Sequence, residues 1–172
     1  QLSIVDLYYD WPGGLNLNII RSQQGLRGTL HDVEWNNKTS YYYDLGKGGC
    51  RVIEFPVGIL SPDWLKGAEF LGTTSVGNRT AYIFTKLDFI TYYEDVETGA
   101  PLRWRFHSET GPGQFEIMTW EIGGTALTAD YQAPAACFEP AATSPSISNP
   151  NSISNPNSRL WPGWGSRVDS LQ

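Results

Sequence analysis

The stretch SIVDLYYDWPGGLNLNII, residues 3–20, limits what the chain can become. Its side chains change character at every second residue. Val5, Leu7, Tyr9 and Trp11 fall on one side of an extended chain, and Asp6 and Asp10 on the other. Pro12-Gly13-Gly14 breaks the pattern, and Leu15, Leu17 and Ile19 then alternate with Asn16 and Asn18. A helix has no use for a period of two, so the stretch reads as a hairpin. The device recurs. HDVEW and YYYDL flank NNKTS, KGG leads into CRVIEFPV, ETGAP joins AYIFTKLDFITYYEDV to LRWRFH, and GPG precedes QFEIMTWEIG. The pattern predicts about eight strands and a mainly β fold: a single antiparallel curved sheet or half-barrel with one short helix. The helix is expected at SPDWLKGAEFLG, with Ser61 as N-cap, Pro62 at the first helical position, Asp63 at the positive end of the dipole and Gly67 soon after.

Composition excludes several functions. A chain of 172 residues that is 40% apolar can bury a core. The formal charge of −6 is spread along the chain without a basic stripe, so nucleic acid is not an expected partner. No run approaches the roughly 18 apolar residues of a membrane span. The only histidines, His31 and His107, form no metal-spaced cluster with the two cysteines, and no phosphate-loop, dinucleotide or Gly-x-Ser-x-Gly signature occurs. No metal and no cofactor are expected. Paired carboxylates at Glu94, Asp95 and Glu97, and at Asp6 and Asp10, are the one hint of glycoside hydrolysis. Alternation already accounts for them as polar-face residues, so the chain is read as no enzyme.

Other features point outside the cell. Asn37-Lys38-Thr39 and Asn78-Arg79-Thr80 are N-glycosylation sequons, each beside turn-forming residues. With an even cysteine count and a single methionine they imply a secreted protein, N-linked glycans on Asn37 and Asn78, and a Cys50–Cys137 disulfide. The alternative for the cysteines is a pair of buried free thiols.

Past Phe138 the composition changes. Residues 1–139 read as the β-domain and 140–158 as a Ser/Pro/Asn linker carrying SISNPN at 146–151 and again at 152–157. At about 3.1 Å per residue, some 20 such residues span on the order of 60 Å. Residues 159–172, RLWPGWGSRVDSLQ, then regain aromatic and strand-like content.

The runs DLYYDWPGG, HDVEWNNKTSYYY, VGILSPDWLKGAEFLG, KLDFITYYEDVETGAPLRW, MTWEIG and YQAPAACF carry a resemblance. Over residues 2–138 the chain resembles a family of small secreted plant and algal proteins, often labelled as transferases of glycosyl groups. The resemblance implies a secreted glycoprotein and brings no established activity. More loosely, the order of strands, short helix and further strands is similar to the ependymin and lipoprotein-carrier half-barrels. In those, a curved sheet cups a helix and an apolar pocket.

Family members carry a further strand, introduced by Trp-Pro and an aromatic, ahead of the DLYYD strand. Here that signature stands at the other end, in LWPGWGSRVDSLQ. Residues 159–172 are therefore read as a donor strand for the next copy. Leu160, Trp161, Pro162, Trp164, Val168 and Leu171 would form the subunit interface, and Ile4, Val5, Leu7 and Tyr9 the acceptor edge. Covalent tandem repetition and strand donation between separate subunits both give a head-to-tail string of identical copies, an extracellular fibre or coat. The linker would carry O-linked sugars. The alternatives for the tail are docking on its own domain or fraying. The second functional reading is a carrier of a hydrophobic or carbohydrate ligand, with a half-barrel pocket lined by Phe84, Leu87, Phe89, Tyr93, Trp104 and Phe106. A carbohydrate-active enzyme comes third.

Overall fold

A computed structural model describes residues 2–21, 28–107, 113–124, 126 and 128–139. The expected linker and donor strand, 140–172, lie outside the described residues. Among the described residues ten strands form: β1 (Ile4–Asp10), β2 (Leu15–Arg21), β3 (Leu30–Trp35), β4 (Thr39–Tyr43), β5 (Cys50–Glu54), β6 (Glu69–Val76), β7 (Arg79–Lys86), β8 (Ile90–Asp95), β9 (Pro101–Phe106) and β10 (Gly113–Glu116). The fold is mainly β and antiparallel, with one short helix, α1 (Thr128–Tyr131), and a single 3-10 turn at Ala135–Cys137 among the described residues.

Where the sequence suggested one sheet, there are two. Their strand orders are β1-β2-β3-β4-β5 and β10-β9-β8-β7-β6, each a meander that among the described residues has two open edges and does not close into a barrel. The break falls between β5 and β6. Residues 55–68 contain Pro56, Gly58, Pro62 and Gly67, and a connection of that length and composition cannot serve as a hairpin turn. Two compact units follow. One holds residues 2–61 together with 123–139, and the other holds 62–122.

The helix expected at 61–72 does not form. Residues 62–67 are successive turns, with Lys66 N donating to Asp63 O and Ala68 N to Leu65 O, and the chain enters β6 at Glu69. Gly67 at φ 77° ends any helical path within two turns of Ser61. Trp64 nevertheless packs inward, its ring edge-on to Tyr92 at 5.3 Å.

In the first unit both sheet faces bury side chains. The register pairs Tyr8 with Leu17, Leu17 with Val33, and Val33 with Tyr41. One face therefore carries Leu15, Leu17, Ile19, Val33 and Tyr43, the core of the unit, with Leu17 and Val33 fully enclosed. Its cover is the returning segment 126–138, pinned by the Cys50–Cys137 disulfide, whose Cα atoms are 5.0 Å apart. Tyr43 Oη donates to Asp130 O at 2.9 Å and holds α1 down. In the chain-entropy picture a cross-link over 87 residues stabilises the fold by about 4–5 kcal/mol.

The same register puts Val5, Leu7 and Tyr9 on the opposite face, beside Asn16, Asn18 and Ile20. The apolar side of β1 thus misses the main core. It meets a strap instead. Phe55 N donates to Lys38 O at one side of the sheet, and Tyr9 Oη donates to Leu60 O at the other, so residues 55–60 cross this face and bury Val57 and Ile59.

AYIFTKLDFITYYEDV, read as one long strand, is a hairpin of β7 and β8. Its turn is made by Leu87 (φ 54°) and Asp88 (φ 51°), with Phe89 N donating to Lys86 O. Left-handed backbone costs a residue with a Cβ about 1–2 kcal/mol, and Leu87 is half exposed, so little packing offsets it. Leu87→Asn is expected to raise stability by on the order of 1 kcal/mol, seen as a higher denaturation midpoint. A lower midpoint would show that the leucine packs more usefully than its exposure suggests.

Candidate functional site

Three features of the first unit can carry function: a polar ladder, a cleft and an open edge. The polar ladder lies on the strap-covered face. Cross-strand pairing places Asn16 opposite Glu34, Asn18 opposite Asp32, Asp32 opposite Tyr42 and Glu34 opposite Ser40. Asn16 Nδ2 donates to Glu34 Oε2 at 2.9 Å, and Asn18 Nδ2 reaches Asp32 Oδ2 at 3.5 Å. Asp32, Asn18 and Ser40 are buried. Burial pushes the Asp32 carboxyl well above the usual carboxylate range, and the Glu34 charge adds to this. Burial likewise raises Glu34 to about 7, against the Asn16 hydrogen bond. Tyr42 is raised by burial and by both carboxylates.

Two shifted carboxyls side by side suggest acid–base chemistry. Their position argues for structure. Asp32 has no exposed surface, so no substrate bond can reach it. The ladder instead gives the second face polar groups that bond across strands, with Asp32 Oδ1 buried without a hydrogen-bond partner. The sequence alone does not single out Asp32 and Glu34, because only the strand register sets them opposite Asn18 and Asn16.

The cleft lies on the other face, at the hairpin end of β3 and β4. Its volume is about 240 Å³, and Trp35, Asn37, Tyr41, Tyr131, Gln132, Ala133 and Phe138 line it. Trp35 and Tyr131 meet edge to face at 6.3 Å, and Tyr41 and Phe138 are tilted at 5.6 Å. The lining combines aromatic faces with two carboxamides and includes no carboxylate and no histidine. Such a surface can bind a ring that offers C–H faces and hydroxyls.

The open edge is β1, which pairs only with β2 among the described residues. Ile4, Leu7 and Tyr9 are 46%, 40% and 43% exposed along this seven-residue strand, which also carries Asp6 and Asp10, with Val5 partly buried between them.

The other expected site residues are dispersed. Asn37 and Asn78 sit exposed in the β3–β4 and β6–β7 turns. The supposed pocket does not assemble. Phe84, Trp104 and Phe106 share one face of the second sheet with Tyr92, whereas Tyr93 pairs with Ile83 and Arg103 on the opposite face, where the Arg103 guanidinium lies 5.4 Å from its ring. Leu87 occupies the exposed turn, and Phe89 is buried edge-on against Phe106. Glu94 and Asp95 face opposite ways. Asp95 accepts from Glu97 N at 2.8 Å and pairs with Arg79 at 2.9 Å, which holds its carboxyl below the usual range. Asp6 pairs with Arg21, and Asp10 caps the Gly13 amide. His107 bonds Thr91, and His31 stacks on Tyr43, where burial lowers its pKa. No metal-holding group of three or more His, Cys, Asp or Glu occurs among the described residues, and no helix there is long and apolar enough to cross a membrane.

The ladder predicts a pH effect of definite sign. Glu34 binds its proton more tightly folded than unfolded, so its contribution falls as pH climbs from about 4.5 to about 7, and Asp32 acts in the same direction. Buried His31 acts in the opposite direction over part of this window. The diagnostic is therefore a difference: Glu34→Gln should gain on the parent protein as pH rises from 5 to 7.5, by on the order of 1–3 kcal/mol. Parallel stability profiles for the two proteins would contradict the shift.

No curated protein matches the chain. Residues 1–137, which span both sheets and both cysteines, match the model of one family, described as a domain of unknown function (DUF8395). With that match covering most of its length, the chain belongs to this family.

Proposed function

We propose that the chain is the repeating unit of a secreted, N-glycosylated extracellular fibre or coat, non-catalytic, in which residues 159–172 of one copy lie along β1 of the next. The observation that carries this reading is the β1 edge. Every other residue of an edge strand turns its N–H and C=O away from its neighbour, and a long apolar edge is a template for another strand. β1 offers such an edge at Ile4, Leu7 and Tyr9: it carries no lysine or proline, and its two charges, Asp6 and Asp10, are taken up by Arg21 and the Gly13 amide.

The tail has matching chemistry. In an extended chain Leu160, Pro162, Trp164 and Val168 share one face, and Trp161, Arg167 and Leu171 the other. The first set would add to Val5, Leu7 and Tyr9. The second would lie beside Ile4, Asp6 and Tyr8, bringing Arg167 near acidic β1 positions. Burial of Trp161, Trp164 and Val168 would contribute roughly 1.5–3 kcal/mol each. The disulfide, two exposed sequons and the resemblance to secreted plant and algal proteins support the extracellular setting. A head-to-tail contact of this kind need not close, so it propagates.

Deletion of 159–172 is expected to give a soluble protein that does not assemble. A synthetic 159–172 peptide at about one hundred times its Kd should raise that protein's Tm by roughly 5–10 °C, and Leu7→Lys should abolish the effect. A full-length protein that stays monomeric at every concentration in sedimentation, or fibres that persist after the deletion, would overturn the proposal.

A further inference from the structure

The β3–β4 turn reads Trp35-Asn36-Asn37-Lys38-Thr39. Lys38 N donates to Trp35 O at 2.9 Å, and Lys38 takes φ 76°, so the chain reverses in a tight turn just after the asparagine. Asn37 Oδ1 accepts the Thr39 amide at 3.0 Å. That ring uses Oδ1 and leaves Nδ2 outside it, on an exposed side chain that also lines the aromatic cleft. Trp35, two residues earlier on the same side of the hairpin, lines the cleft as well, with Tyr41, Tyr131, Gln132 and Phe138.

We infer that the cleft is the seat of the first sugar of an N-linked glycan on Asn37, an N-acetylhexosamine stacked on the aromatic side chains. The inference rests on the secreted-glycoprotein reading above and adds where the sugar lies. In the modification, Asn37 Nδ2 attacks the anomeric carbon of an oligosaccharide carried on a polyprenyl diphosphate. The N–C bond forms as the bond to the diphosphate oxygen breaks, the diphosphate leaves, and the amide proton passes to a base of the transferring enzyme. The attached ring starts at the rim of the cleft. Its axial C–H face matches an aromatic wall, and its acetamido and hydroxyl groups match the Gln132 carboxamide. Tethering removes the entropy cost of bringing it there.

Asn78 is the internal control. Its turn follows Val76-Gly77, where a side chain added at Gly77 would meet nothing within 4 Å, and no aromatic stands two residues before it. One glycan lies against a wall of rings and the other projects freely.

The test uses the full chain secreted from a glycosylating eukaryotic host. The folded protein is treated with an amidase that cuts the glycan–asparagine bond, and release is followed at each site by peptide mass spectrometry in 18O water. Release from Asn37 is expected to be about fivefold or more slower than from Asn78, the scale of a single ring contact. Phe138→Ala, a change at a largely exposed side chain, should close most of that gap. Equal release rates, or a gap that survives Phe138→Ala and Tyr41→Ala, overturn the inference while the secreted reading stands. A glycan on Asn78 with none on Asn37 does the same. Absence of glycan from both asparagines overturns the inference and the glycoprotein reading together.

Discussion

The first unit depends on one covering contact. Leu15, Leu17, Ile19, Val33 and Tyr43 form an apolar sheet face, and a five-stranded meander has no second layer of its own to bury it. Residues 126–138 supply the layer, although they hold only a four-residue helix and a single 3-10 turn. So little regular structure cannot hold its place by backbone hydrogen bonds alone. The Cys50–Cys137 bond fixes its far end to the edge strand β5, and the Tyr43–Asp130 contact fixes its near end to β4. The aromatic cleft lies where this cover meets the hairpin end of the sheet, with Trp35 against Tyr131 and Tyr41 against Phe138 among its lining.

The antiparallel, mainly β character could be read directly, because alternation and Gly/Pro punctuation mark strands wherever a turn uses those residues. β1 through β5 overlap SIVDLYYDW, LNLNII, HDVEW, YYYDL and CRVIEFPV, though β4 stops at Tyr43 and β5 at Glu54, short of the ends of those runs. Where the punctuation was unusual the reading failed. Leu87-Asp88 turns the chain without glycine or asparagine, so two strands looked like one. Ser61-Pro62-Asp63 has every mark of a helix start, but the following residues make only turns before β6. Local signals also cannot count sheets, since nothing in a strand names its partner.

Faces were harder still. The alternation of β1 sets Val5, Leu7 and Tyr9 on one side without saying what that side meets, and the register with β2 aligns them with Ile20, Asn18 and Asn16, away from the main core. Pairing decides which side of a strand meets which side of its neighbour. Both faces of this sheet are covered, and a one-sided reading could not reveal that. The Asp32–Glu34 ladder was invisible for the same reason: acids on a strand read as solvent-facing until the strap at 55–60 covers them. The cysteine pair was readable because the even cysteine count and the two sequons together pointed to a disulfide, and the proposed pocket failed because Tyr93 and Phe84 differ in parity across their register.

The second unit is spliced into the first: residues 62–122 separate β5 from the segment that covers its sheet. A ribosome delivers these pieces in order. The first meander emerges with one greasy side bare and must wait while an entire second meander is translated. That second meander needs only neighbouring hairpins, so it can form during the pause. The cross-link that completes the earlier-made half can close only after the later-made half is already out, and the interval between is when the nascent chain most needs protection from aggregation.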